Sequence, residues 1–61
     1  MKKEEVLAIR TKLGMTQAKF ALTLGATVVT ISRWENGQST PSRLYIQEIV
    51  RLIGKHGIEI R

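Results

Sequence analysis

The stretch Val28-Val29-Thr30-Ile31-Ser32-Arg33-Trp34-Glu35-Asn36 carries the side chains whose types and spacing could do chemistry. Take about 100° per residue and set Ile31 at the centre of a buried face. Thr27, Trp34 and Glu35 then fall within roughly 60° of it, with Val28 at the border. Val29, Ser32, Arg33 and Asn36 fall on the far side. That side holds a β-branched apolar group, a hydroxyl, a guanidinium and an amide. The set is unusual for a solvent face and well suited to nucleobase edges. A guanidinium bonds guanine O6 and N7 together, and a methyl-bearing side chain touches the thymine methyl. Val28, Val29, Ser32 and Arg33 are therefore the candidate base-reading residues. The plainer alternative puts the valines in the core and makes Arg33 an ordinary surface charge; Val28 fits either. No catalytic set competes. The chain has no cysteine, one histidine (His56) and five carboxylates, and no two carboxylates are placed for general acid–base work. Neither a metal site nor a cofactor is expected.

Two short helices position these residues. Thr16 opens the first as N-cap, with Gln17 to Leu24 helical, and Met15 and Phe20 are spaced for a hydrophobic staple. Gly25 follows the last apolar residue, where a left-handed conformation is wanted. Thr27 caps the second helix, Val28 to Asn36; Ala26 and Ile31 repeat the staple, and Gly37 ends the helix. Two helices joined by a turn holding one glycine are the signature of a DNA-binding helix-turn-helix. The first turn of its second helix, here Val28 and Val29, points deepest into the major groove.

A further helix is expected over 3–13, with Val6, Ile9 and Leu13 as a core stripe and Gly14 closing it. Glu4 and Glu5 begin it, and Arg10 and Lys12 lie near its end, as the helix dipole favours. Arg10 sits four residues after Val6, on the apolar side, and Glu35 four after Ile31. Two misplaced opposite charges suggest one partly buried Arg10–Glu35 ion pair that fixes how this helix docks on the reading helix; two separate solvated charges are the alternative. The helix 17–24 turns Phe20, Ala21 and Leu24 inward. Its N-terminus can bind an anion through backbone N–H groups, with Gln17 adding a side-chain bond and Lys19 a charge. Plain surface residues are the alternative for both. Thr27 and Arg43, at the starts of later helices, join the phosphate candidates; Arg43 opposes its helix dipole.

After Gly37 the polar run Gln38 to Ser42 holds the only proline. Either Thr40 caps a fourth helix with Pro41 at its first position, or Ser42 is the cap. This helix is expected to run to about Ile53, with Ile46, Ile49, Val50 and Ile53 on one stripe beside Tyr45 and Leu52. The band is wide enough to serve both core and a partner surface. Gly54 and Gly57 then break the helix, with His56 a solvated residue at its end. Ile58-Glu59-Ile60 alternates like a very short strand that could pair with its copy, or frays.

Sixty-one residues make one domain, 1–61, which buries only about 60% of its extended-chain surface. A net charge of +5 and a sequence pI near 10.3 suit a polyanion, and nucleic acid is the usual one. No apolar run approaches the roughly 18 residues of a membrane span, and MKKEEVL lacks a signal-peptide apolar stretch. A cytoplasmic protein is expected, with no membrane partner and no small-molecule substrate.

The residues Ile9-Arg10, Leu13 to Ala18, Phe20-Ala21, Leu24 to Thr27, Thr30 to Gly37 and Pro41-Ser42 resemble, in order and spacing, the phage repressor/Cro (XRE-type) helix-turn-helix family. The resemblance implies a small all-α, lambda repressor-like bundle of four helices whose third enters the major groove. It also implies that Gln17 and Asn36 touch phosphates, that Val28, Val29, Ser32 and Arg33 face bases, and that Arg10 and Glu35 pair. The family often has Glu three residues after the Thr16-type cap; Lys19 stands there instead. Many members have a fifth helix, for which residues 57–61 are too few. The function implied is a transcriptional regulator, repressor-like, binding double-stranded DNA as a homodimer on an inverted repeat. The alternative is a HigA-type antitoxin, which binds a toxin protein and also represses its operator.

Overall fold

The computed structural model describes residues 1–58. Four helices follow in order: α1 (Lys3–Lys12), α2 (Gln17–Leu24), α3 (Val28–Glu35) and α4 (Arg43–His56). Each starts where the chain offers an acceptor for orphan N–H groups. The Thr16 hydroxyl accepts from the Lys19 amide at 3.1 Å, that of Thr27 from Thr30 at 3.2 Å, and that of Ser42 from Tyr45 at 3.4 Å. The last bond resolves the two caps open for the fourth helix in favour of Ser42. Glu5 closes α1 from the other side, its carboxylate accepting from the Lys2 backbone N–H at 2.7 Å.

The core is Val6 and Ile9 from α1, Phe20, Ala21 and Leu24 from α2, Ile31 and Trp34 from α3, and Ile49 from α4. Met15 and Ala26, the two staple residues, pack against it half-buried. α3 lies against α1 and α2, and α2 also touches α4. Trp34 meets Tyr45 edge-on, ring centroids 5.1 Å apart, which ties α3 to the start of α4. This is the all-helical small bundle that the periodicities lead one to expect.

Six expectations need correction. The first helix ends at Lys12, with Leu13 as its C-cap. α3 ends at Glu35, with Asn36 as its C-cap. Thr27 is exposed, because as N-cap its backbone is extended (φ −116°, ψ 159°) and the helical wheel does not extend to it. α4 runs through Gly54 to His56 and stops at Gly57, which takes the left-handed conformation (φ 63°). A lone glycine weakens a helix without ending it, by about 1 kcal/mol against alanine; only the second glycine has the geometry of a stop. The inward stripe of α4 is Tyr45, Ile49, Leu52 and Ile53, rotated from the expected one, so Val50 is 57% exposed. Ile58 is not in a strand, and its amide donates to the Ile53 carbonyl at 3.1 Å. The rest of the expected C-terminal extended segment, Glu59 and Ile60, lies outside the described residues.

Candidate nucleic-acid interface

α3 is a two-faced helix of eight residues. Ile31 is fully buried and Trp34 nearly so, while Val29 on the far side is 58% exposed and Val28 45%. Arg33 and Asn36 are exposed and Ser32 half-buried. Val28, Val29 and Arg33 thus stand together on the solvent side. Ser32 and Asn36 are joined: the Asn36 Nδ2 donates to the Ser32 Oγ at 3.3 Å. The Thr27 hydroxyl, besides capping, lies 3.0 Å from the Thr30 hydroxyl.

Beneath this face is a polar network on α3's buried flank. Arg10 grips Glu35 with two bonds, Nε to Oε2 at 2.6 Å and Nη2 to Oε1 at 3.1 Å. Arg10 Nη1 also donates to the Met15 carbonyl at 2.9 Å, and Gln17 Nε2 donates to Glu35 Oε1 at 3.1 Å. The Glu35 side chain is only 9% exposed and that of Arg10 17%. Burial alone would push the Glu35 carboxyl up; the hydrogen bonds from Arg10 and Gln17, together with the Arg10 charge, hold it below the ordinary glutamate value. The hydrogen bond to Glu35 raises Arg10 in turn, against the opposing effect of burial. One network therefore fixes α1, the start of α2 and the end of α3 together. It also neutralises the only carboxylate on α3, a charge that would otherwise repel a polyanion.

The bond from Gln17 to Glu35 has a weak sequence signal: Gln17 lies about 60° from Phe20 on the α2 wheel, at the edge of the inward face. The Met15 carbonyl has no such signal, being backbone. Because a carboxylate only accepts, the amide nitrogen of Gln17 must face Glu35, and one of its two hydrogens remains for another acceptor. Lys19, Thr27 and Arg43 are all exposed. α1 carries Glu4 and Glu5 in its first turn, but α2, α3 and α4 carry no acid there. The positive ends of those three dipoles are thus left without an acidic side chain, as suits an approaching polyanion. Among the described residues no helix is long and apolar enough to cross a membrane.

A capped helix pair with a glycine turn, a basic surface and an outward Val/Arg face define a DNA-binding helix-turn-helix. A family model described as helix-turn-helix matches residues 6–60, and the chain belongs to that XRE-type, lambda repressor-like family. The family is DNA-binding and regulatory rather than enzymatic. Comparison with curated proteins finds no match.

Proposed function

We propose that the chain is a sequence-specific transcriptional regulator, repressor-like, in which residues 1–61 act as one domain. It lays α3 in the major groove of double-stranded DNA and acts in the cytoplasm as a homodimer on an inverted repeat. The observation that carries this reading is the division of α3: Ile31 is fully buried while Val29 is 58% exposed, with Arg33 exposed beside it. Val28, Val29, Ser32 and Arg33 contact base edges; Gln17, Lys19, Thr27, Asn36 and Arg43 contact phosphates. Random-site selection on DNA tests it. The wild type should return a motif with two-fold symmetry, half-sites about one turn, roughly 34 Å, apart. Arg33→Ala should cost about 1–3 kcal/mol and relax preference at one base pair. The parent motif returned unchanged would remove Arg33 from the reading set.

A second reading rests on α4 and α2, where Leu44 is 74%, Val50 57% and Leu22 76% exposed. Large apolar side chains in solvent suit a protein partner. An antitoxin that masks a toxin, and also represses, would use them. Co-purification with the product of an adjacent gene supports it; a homodimer alone supports the first reading.

A further inference from the structure

We infer that Val28 and Val29 read their half-site through the C5 methyl groups of pyrimidines, so that 5-methylcytosine substitutes for thymine where these valines meet the groove. The inference rests on α3 being the groove-entering helix. It follows from which groups on that face remain available. The Thr27 hydroxyl is engaged by the Thr30 amide at 3.2 Å and lies 3.0 Å from the Thr30 hydroxyl. The Ser32 hydroxyl accepts from Asn36 at 3.3 Å. Among the described residues, the Arg33 side chain makes no hydrogen bond or ion pair. Arg33 is thus the one open charged donor on the face, suited to a guanine. In the first turn of α3 what stands exposed is apolar, Val28 at 45% and Val29 at 58%; Ser32, which keeps its own O–H to donate, and exposed Asn36 lie further along the helix.

A valine laid on a base edge cannot bond to O4, N4, N6 or N7, and covering those groups strips their water without replacement. The one major-groove group that gains from the contact is the C5 methyl. A valine therefore senses whether a methyl is present, and only weakly which pyrimidine carries it. Consecutive helical residues are separated by about 100° and 1.5 Å, so the two valines cover neighbouring base pairs. Each methyl buried should be worth about fourfold in affinity.

The test uses the full chain and its selected site, titrated at fixed salt. Each thymine of a half-site is replaced singly by deoxyuridine, which lacks only the methyl. One or two positions should lose about fourfold, and Val28→Ala or Val29→Ala should abolish the loss at its own position. Exchanging such a T·A pair for C·G should weaken binding further, and 5-methylcytosine should recover about fourfold over cytosine. Both valines are exposed and alanine favours helix, so the variants should fold, which circular dichroism verifies. Uridine tolerated throughout overturns the inference, as does a uridine loss unchanged in both variants, or cytosine and its 5-methyl form binding alike. In those cases the selected motif still supports the regulator reading. If no motif is selected, both fall.

Discussion

Glu35 is the residue on which the docking of α3 turns. Its two oxygens take three bonds from two side chains, with 9% of its side chain exposed. Removing one partner of such a pair leaves an uncompensated charge; removing both need not. Arg10→Met should therefore cost on the order of 3 kcal/mol of unfolding free energy. The double change Arg10→Met with Glu35→Leu should recover part of that loss, as urea denaturation of the four-member mutant cycle would show. A pH dependence follows. Because the folded carboxyl is held below its ordinary value, its contribution is complete above the unfolded value of about 4.3. The contribution is lost as pH falls through the lower folded value. The wild type should lose stability between about pH 4.3 and the folded value more steeply than Glu35→Gln does. Arg10 and Glu35 were legible in the sequence because each put a charge on an apolar face. The part played by Gln17 was only weakly so, because an amide at the edge of a helix face violates no pattern.

At the scale of elements, the two glycines Gly25 and Gly54 make a controlled comparison. Neither has an atom within 4 Å of where a Cβ would stand, so packing does not enter. Gly25 has φ 72°, a conformation that costs an L-residue about 1–2 kcal/mol. Gly54 lies inside α4, where alanine is favoured by about 1 kcal/mol. Gly25→Ala should thus lower the melting temperature, and Gly54→Ala should raise it. The starts of α2 and α3 were readable because Thr16 and Thr27 offer side-chain caps ahead of a staple. The end of α4 was not, because composition shows two glycines and only backbone geometry tells a weak helical residue from a stop. The rotation of the α4 stripe has a related cause. With Tyr45, Ile46, Ile49, Val50, Leu52 and Ile53 all apolar, periodicity alone does not choose the inward centre; the edge contact of Tyr45 with Trp34 does.

For the whole molecule, charge and size set the terms of binding. With a net charge of +5, the proposed phosphate contacts should supply much of the affinity, with a steep loss in salt. Lys19→Ala and Arg43→Ala should each reduce the slope of log K against log salt by about one, and weaken binding to all sequences alike. That uniformity separates them from Arg33→Ala, and titrations at several salt concentrations would measure it. The molecule spans 28 × 22 × 20 Å, close to the roughly 34 Å between half-sites one turn apart. Two copies in the proposed dimer would therefore meet near their edges, and moving the half-sites by half a turn should abolish cooperative binding in gel-shift titrations.

Trp34, the only tryptophan in the chain, has a practical consequence. It sits on α3 yet faces away from Val29 and Arg33, 3% exposed and edge-on to Tyr45. Its emission is therefore a built-in optical gauge of whether that helix is seated on its neighbours, and nucleobases meeting the Val29 side, as proposed, would not stack on the indole to quench it.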